Sequence, residues 1–239
     1  MGAALPERLE VTVEDGVVSV TIDRGDGNLL TMQMCRALTR LLEEPPEGAH
    51  VLRLSARGPA FCLGRERAGE TTEDLRDEVR ALIGLNRALG TSPLVSVAAV
   101  SGDAAGFGVG LAALCDVAVA APQALLSFPE VTIDLAPAVV LAWLPRIVGR
   151  RQAFLLTATG APISAVRATE LGLLTAVAPS AEALPEVVDE HVAALRARSP
   201  RVHREIRSFL AAADGASPEI VEALAEERLI IGSLARRRH

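Results

Sequence analysis

Short runs with a strand pattern alternate with longer runs with a helix pattern along the first half of the chain. Residues 9–13 and 17–22 alternate apolar and polar side chains around Asp15-Gly16, which predicts a β-hairpin with a two-residue turn. Further strands are predicted over 51–55, 94–100, 117–120, 125–128 and 173–177. Helices are predicted over 31–42, 72–89, 109–114, 139–148, 151–157, 165–171, 181–198, 202–212 and 218–234.

The order of these elements predicts the fold class. Strands alternate with helices before residue 137, and helices dominate after it, so we expect an α/β core followed by a helical C-terminal region. Residues 58–69 are predicted to be a loop, residues 211–217 a short hinge and residues 236–239 a frayed tail.

Composition narrows the function. Half of the 239 residues are apolar, which is enough for a large buried core. The net charge is −6, lysine is absent and only 3% of residues are aromatic, so we expect no nucleic-acid partner. The three cysteines form no C-x-x-C pair, which argues against a disulfide framework or a metal site. We see no signal peptide and no membrane-spanning run, and expect a cytoplasmic protein.

A glycine-rich segment is the first candidate for chemistry. Gly102, Gly106, Gly108 and Gly110 follow a predicted buried strand and open a predicted helix. Free N–H groups at a helix start can bind an oxyanion or a phosphate, and glycine lets the backbone approach a ligand closely. The same residues could also form a tight strand–helix corner without any ligand, because a glycine-rich loop alone is weak support for binding.

Two further segments could complete such a site. A backbone N–H just after Gly64 could be a second donor to an oxyanion, although the segment could also be an ordinary surface loop. Glu130 lies between Pro129 and Val131, where poor solvation would raise its pKa and suit it to proton transfer. A salt-bridged or capping glutamate is the alternative. We expect Asp134 to cap the following helix.

The order and spacing of these segments resemble the crotonase superfamily, also called the enoyl-CoA hydratase/isomerase family. The resemblance extends from about Val17 to about Pro200. It rests on Thr21-Ile-Asp-Arg24 with Asn28, Phe61-Cys-Leu-Gly64, Val100-Ser-Gly102, Gly106-Phe-Gly108, Cys115-Asp116, Phe128-Pro-Glu130, Leu144-Pro-Arg-Ile-Val-Gly149, Thr159-Gly-Ala-Pro-Ile-Ser164, Ala168, Leu171-Gly-Leu173 and Val177-Ala-Pro179.

The resemblance implies a spiral of ββα units over residues 1–179, with a helical region over 180–239 that drives assembly into a homotrimer or hexamer. It implies an enzyme acting on an acyl-CoA or acyl-carrier thioester in fatty acid metabolism, without a metal or a cofactor beyond the coenzyme A of the substrate. The family's catalytic acid falls on Glu130, and its oxyanion hole falls on the backbone N–H groups of Arg65 and Phe107. Substrate-binding positions fall on Arg24, Cys62, Gly64, Glu66, Gly106, Gly108, Pro129 and Leu135.

Departures from the family pattern bear on the reaction. Family hydratases typically use two glutamates, and the first of them falls on Gly110. A single glutamate suffices to move an enoyl double bond, so isomerisation is the expected reaction. A hydratase in which Asp134 or Glu66 replaces the missing acid, and a non-catalytic thioester-binding protein, remain alternatives. We expect the Arg65 side chain to point to solvent.

Overall fold

The computed structural model describes residues 8–25, 27–215, 220 and 222, and the chain divides into two compact units, 1–197 and 198–239. The described strands are β1 (Leu9–Glu14), β2 (Val17–Ile22), β3 (Val51–Ala56), β4 (Ala60–Cys62), β5 (Val95–Val100), β6 (Asp103–Ala105), β7 (Val117–Ala120), β8 (Leu125–Ser127), β9 (Ile163–Ser164) and β10 (Ala176–Val177). The described helices are α1 (Met32–Glu43), α2 (Thr72–Thr91), α3 (Phe107–Ala113), α4 (Ala138–Leu141), α5 (Leu144–Thr159), α6 (Ala165–Glu170), α7 (Leu184–Arg196) and α8 (Pro200–Ala213), with a 3-10 helix over Pro129–Ile133.

The strands of the first unit form two sheets. The larger sheet has the order β1-β2-β3-β5-β7-β10, in which only the β1–β2 pair is antiparallel. The smaller sheet has the order β4-β6-β8-β9, with β4, β6 and β8 parallel. The chain passes from the larger sheet to the smaller one and then into a helix in β3-β4-α2 and again in β5-β6-α3. This repeat confirms the predicted crotonase-like spiral of ββα units.

Apolar residues are buried on both sides of the larger sheet. All six residues of β5 are buried, as expected for a central parallel strand covered on both faces. The main core lies on the side of α1, α2 and α3. On the other side, Leu184, Val188 and Val192 of α7 pack over Val97 and Val119.

Several local predictions are confirmed. Asp15 and Gly16 both have positive φ, as the tight turn between β1 and β2 requires. The Thr31 side chain accepts a hydrogen bond from the backbone N–H of Met34 and caps α1. The sequence pattern therefore located the entry into the first ββα unit correctly.

Three of the four strands of the smaller sheet were not predicted, whereas β8 lies within the predicted strand over 125–128. β4 lies inside the segment predicted to be a loop, and β6 lies inside the glycine-rich segment. Each has three residues, too few to show an alternating pattern, and each forms only because the neighbouring turn of the spiral supplies a partner. The predicted strand over 173–177 shortens to β10.

The helices after residue 137 also differ in detail. The predicted helix over 139–148 is interrupted between α4 and α5, and Gly149, with φ 75°, kinks α5 where the prediction placed a break. The prediction that Asp134 caps the following helix is wrong. Asp134 has φ 56° and ends the 3-10 helix, whereas Pro137 precedes α4.

The C-terminal region is described only in part. The division into 1–179 and 180–239 stays a prediction, although α7 packs on the larger sheet within the first unit. In the second unit, α8 exposes Ile206 and Leu210 one turn apart. The predicted helix over 218–234 lies outside the described residues except for 220 and 222, and the predicted tail lies wholly outside them. None of the described helices is both long and apolar enough to cross a lipid bilayer.

Candidate active site

Glu130 lies at the start of the 3-10 helix, where the end of β8 meets the end of β6. The backbone N–H of Gly106 donates to the carbonyl oxygen of Ser127 at 2.9 Å, which ties the two strand ends together. The carboxyl group of Glu130 therefore lies against the Cα of Gly106: a methyl group there would lie 3.2 Å from Glu130 Cδ. Gly106 also has φ 51°, a backbone conformation that side chains disfavour. Both this conformation and the close approach of the Glu130 carboxyl group require a glycine at position 106.

The start of α3 packs directly on the end of β4. A methyl group at Gly108 would lie 2.7 Å from the carbonyl carbon of Cys62, and one at Gly64 would lie 3.6 Å from the carbonyl oxygen of Ala105. Only a glycine at position 108 allows this approach. The close packing brings the predicted donor segments, 64–65 and 106–107, to one place.

The two predicted oxyanion donors are available for a ligand. The N–H of Phe107 belongs to the first residue of α3, where the helix supplies no acceptor. Within the ranges that the structure describes, neither this N–H nor that of Arg65 has a hydrogen-bond acceptor. Phe107 is buried and belongs to the main core, and it also lines the cavity beside Glu130.

A cavity of about 330 Å³ joins the donors to Glu130. It is lined by Leu63, Gly64, Arg65, Arg67, Val79, Leu82, Gly106, Phe107, Pro129, Glu130, Thr132, Ile133, Leu135, Ala136, Pro137, Ala138, Val139 and Val140. The wall is mostly apolar, and its polar side chains are those of Arg65, Arg67, Glu130 and Thr132, a mixture that is usual in small-molecule sites.

The environment of Glu130 favours proton transfer. Burial raises the pKa of Glu130 above its ordinary value, and the residue's own backbone N–H and the Arg67 guanidinium oppose this rise without cancelling it. One carboxylate oxygen, Oε2, is buried without a hydrogen-bond partner. Such a group costs folding free energy, which makes a functional role the natural explanation.

The Arg65 side chain does not point to solvent, and that prediction is wrong. Its guanidinium forms a short ion pair with Glu78 on α2, and the Glu78 carboxylate also accepts from the N–H groups of Ala68 and Gly69 at 3.0 and 2.6 Å. Burial raises the pKa of Glu78, but these hydrogen bonds and the Arg65 charge outweigh it and lower the pKa overall. Glu78 thus anchors the loop that carries one of the two predicted oxyanion donors.

The predicted substrate-binding residues divide between the cavity and its surroundings. Gly64, Gly106, Pro129 and Leu135 line the cavity. Gly108 lies behind it, against Cys62, whose buried thiol contacts the Gly64 carbonyl oxygen at 3.2 Å.

Arg24 and Glu66 lie outside the cavity lining and form an ion pair with each other at 2.9 Å. Asn28 supports this corner: its side chain is buried, donates to the carbonyls of Arg57 and Ala60, and accepts from the N–H of Arg24. The roles assigned to Arg24 and Glu66 stay predictions.

An indole ring lies over the position where the family pattern places a second acid. A methyl group at Gly110 would lie 3.1 Å from Cζ2 of Trp143. Trp143 is buried, and its ring centroid lies 6.3 Å from that of Phe128 with the planes tilted by 58°. The two alternative acids, Asp134 and Glu66, do not line the cavity.

Sequence reasoning missed Glu78, Arg67 and Trp143. Nothing in the sequence links Glu78 to Arg65, because the ion pair depends on how the loop packs against the helix that follows it. Arg67, two residues beyond a predicted donor, could have been found by its proximity alone. Trp143 is the only tryptophan of the chain, and this rarity is the one feature of the sequence that could have drawn attention to it.

Comparisons with known proteins identify the family of the chain. Residues 12–233 match the profile of the family described as enoyl-CoA hydratase/isomerase. A relative from Alternaria alternata, the enoyl-CoA hydratase ACTT6, is 33% identical over 80% of this chain, and the chain spans 65% of that relative's length. A relative from Thermus thermophilus is 35% identical over 82% of each chain.

A solved structure from Thermobifida fusca, in complex with acetoacetyl-CoA, superposes with a TM-score of 0.86 at 25% identity and covers 96% of this chain and 95% of its own. The spiral of ββα units and this superposition define a crotonase-type fold. The chain belongs to the enoyl-CoA hydratase/isomerase family.

Proposed function

We propose that this protein is an enzyme that moves the double bond of an enoyl-CoA thioester. The thioester carbonyl oxygen accepts hydrogen bonds from the N–H groups of Arg65 and Phe107, and Glu130 transfers the proton. The observation that carries the proposal is the buried, unpartnered carboxylate oxygen of Glu130 in a cavity whose described lining residues include no other acid.

The proposed reaction proceeds in two proton transfers. Glu130, as a carboxylate, removes a proton from C2 of a 3-enoyl thioester, and the C–H electron pair forms the C1–C2 double bond of an enolate. The negative charge on the oxygen is stabilised by the two N–H donors. The enolate then collapses to the 2-enoyl thioester as C4 takes the proton back from Glu130, so that the glutamate ends as it began.

Coenzyme A is the proposed carrier of the acyl group. Support comes from the family and from the acetoacetyl-CoA complex of the Thermobifida fusca protein, whose fold this chain shares. The proposal requires no metal and no cofactor other than the coenzyme A of the substrate. An acyl-carrier thioester and a cytoplasmic location stay predictions.

Assembly into a homotrimer or hexamer is proposed as well. Phe154 and Leu155 of α5 and Val166 of α6 are exposed by 71%, 54% and 56%, although all three are large and apolar. Exposed residues of this kind commonly mark protein–protein interfaces. Light scattering coupled to size-exclusion chromatography should give a trimer or hexamer for the parent protein and a smaller species for Phe154→Ser.

Hydration of a 2-enoyl thioester is the second candidate, because the Alternaria alternata relative is named an enoyl-CoA hydratase. It would require an acid in place of the one missing at Gly110. Asp134 is exposed and Glu66 is paired with Arg24, and neither lines the cavity. The geometry therefore favours isomerisation.

The test is an incubation of a 3-enoyl-CoA and, separately, a 2-enoyl-CoA in D₂O, analysed by mass spectrometry. We expect deuterium uptake and double-bond migration, both lost in Glu130→Gln although the variant still binds the thioester. Glu190→Gln, on the far side of the larger sheet, is the matched control and should keep full activity. Retained turnover in Glu130→Gln would refute the assignment of the base. Net gain of water would indicate the hydratase, and binding without exchange would indicate a non-catalytic protein.

A further inference from the structure

The cavity wall carries two arginines, and they differ in what they pair with. Arg65 forms an ion pair with Glu78. The guanidinium of Arg67 has no ion-pair or hydrogen-bond partner within residues 8–25 and 27–215. Thr132, another polar residue of the wall, donates its hydroxyl proton to the carbonyl of Pro129 at 2.7 Å. Arg67 therefore supplies the unpaired positive charge of this wall.

The position of Arg67 follows from the extended backbone that precedes it. Arg65 forms a parallel β-bridge with Leu30, and the N–H of Glu66 donates to the Leu30 carbonyl at 2.9 Å. Successive side chains of an extended segment alternate between its two sides. Arg65 and Arg67 accordingly line the cavity, whereas Glu66 lies outside the lining and pairs with Arg24. Arg67, although exposed, is thus part of the cavity wall by its register.

The guanidinium of Arg67 lies near the proposed catalytic base. Burial is the main influence on the pKa of Glu130 and raises it, and the positive charge of Arg67 acts against this rise. The two groups form no ion pair, and Oε2 of Glu130 has no hydrogen-bond partner. Arg67 is therefore close to the carbons on which Glu130 would act, and its hydrogen-bond donors are not used by that glutamate.

The charge of Arg67 favours an acyl group with an anionic end. A neutral chain that displaced water from the guanidinium would leave a charged donor without a partner, which costs binding free energy. A carboxylate matches the planar fork of an arginine and accepts two parallel hydrogen bonds from it. The phosphates of coenzyme A are the other anions of the substrate. They lie beyond the pantetheine arm, at the opposite end from the carbons that Glu130 must reach.

We propose that Arg67 is a specificity-determining residue that binds a carboxylate on the acyl group, so that the substrate is a thioester of a dicarboxylic acid. This inference rests on the proposed function, which places the acyl group beside Glu130. The acyl carboxylate pairs with Arg67 while the thioester oxygen accepts from the N–H groups of Arg65 and Phe107. The pair forms on binding and stays unchanged through both proton transfers.

Binding of saturated thioesters tests the assignment without turnover. Dissociation constants of succinyl-CoA, glutaryl-CoA and adipoyl-CoA are compared with those of butanoyl-CoA, pentanoyl-CoA and hexanoyl-CoA, the neutral thioesters of equal chain length. We expect the parent to prefer at least one diacid thioester, and Arg67→Gln to reduce that preference by about tenfold. Arg67→Lys should keep part of it, because the charge remains without the fork. Arg87 is exposed on α2 and outside the cavity lining, so Arg87→Gln is the matched control and should keep all of it.

A change of carrier distinguishes the two sources of the anion. The same acyl groups are offered as thioesters of N-acetylcysteamine, which carries no phosphate, and Arg67→Gln should reduce the diacid preference equally with either carrier. Equal weakening of diacid and neutral CoA thioesters, without any effect on the N-acetylcysteamine thioesters, would assign Arg67 to a phosphate of coenzyme A and overturn the inference. A parent without any diacid preference, or a preference unchanged in Arg67→Gln, would overturn it as well.

Failure of the proposed function gives a different result. Hydrogen–deuterium exchange at C2 of the tightest-binding saturated thioester reports the proton transfer itself. If the parent catalyses this exchange but shows no diacid preference, the inference fails and the proposed function stands. If the parent catalyses no exchange, the proposed function fails, whatever the binding preference.

Discussion

Replacement of Gly108 by alanine should disrupt the proposed oxyanion hole without changing any polar side chain. The added methyl group would lie 2.7 Å from the carbonyl carbon of Cys62 and closer still to its oxygen, where ordinary contacts begin at 3.4 Å. Gly108 is not among the glycines with positive φ, so alanine suits its backbone conformation and steric overlap alone is introduced. The obstacle is backbone, which cannot rotate away as a side chain could.

The magnitude follows from the required displacement. To relieve the overlap, the start of α3 and the end of β4 must separate by about 1 Å, and these segments carry the N–H groups of Phe107 and Arg65. Overpacking of this kind costs about 1–3 kcal/mol of stability. A misplacement of about 1 Å in catalytic geometry lowers a rate by about 100-fold.

The assay is hydrogen–deuterium exchange at C2 of butanoyl-CoA, a saturated thioester that can form the enolate but cannot isomerise. We expect Gly108→Ala to slow exchange by about 100-fold and to lower the unfolding temperature by about 2–10 °C. Gly84→Ala is the matched control, because no atom lies within 4 Å of its added methyl group. In the helix α2, this control should be stabilised by up to about 1 kcal/mol and should exchange at the parent rate. Parent-like exchange in Gly108→Ala would refute the placement of the oxyanion hole.

Three further predictions concern titratable groups. Burial raises the pKa of folded Glu130, so its contribution to stability is present at low pH and is lost as the pH rises through that pKa. Glu130→Gln should therefore raise the unfolding temperature at pH 7 and leave it unchanged at pH 4, as thermal unfolding at the two pH values would show. The pKa of Glu78 is lowered in the folded protein, so its contribution to stability is present above the unfolded pKa and is lost as the pH falls through the folded pKa. Glu78→Gln should lower the free energy of unfolding by about 2 kcal/mol near pH 7 and should slow C2 exchange. Equal stability of the variant and the parent in denaturant titrations at pH 7 would contradict the role of Glu78 in holding the Arg65 loop. Burial raises the pKa of Cys35 to about 12 and of Cys62 to about 11, so iodoacetamide at pH 8 should modify only Cys115 in the native protein, as peptide mass mapping would show.

The sequence alone determined the ββα order and the identity of the central motifs. Two of the signals are local: the alternation of apolar and polar residues in β2, and the capping residue that begins α1. Local signals of this kind depend on neighbouring residues in the chain and can be recognised without knowing the fold. Glycines at 106 and 108 and a glutamate after Pro129 could be recognised because their spacing is fixed by the fold of a whole family. The family and the candidate base therefore followed from the chain as written.

Tertiary structure alone decided what each of these residues faces. The three-residue strands β4 and β6 form only when successive turns of the spiral stack, so no local pattern announces them. The ion pair of Arg65 with Glu78 joins residues thirteen positions apart through a loop and a helix, and the sequence favoured solvent for Arg65.

Position 110 also separates what the sequence determined from what only the tertiary structure decided. The sequence showed that the family's second acid falls on a glycine, whereas only the fold showed that Trp143, from a distant helix start, packs against that glycine. Periodicity reports which face of an element is buried, because burial depends on local amphipathic pattern. It does not report which side chain fills a given volume, because packing partners are chosen by contacts far apart in the chain.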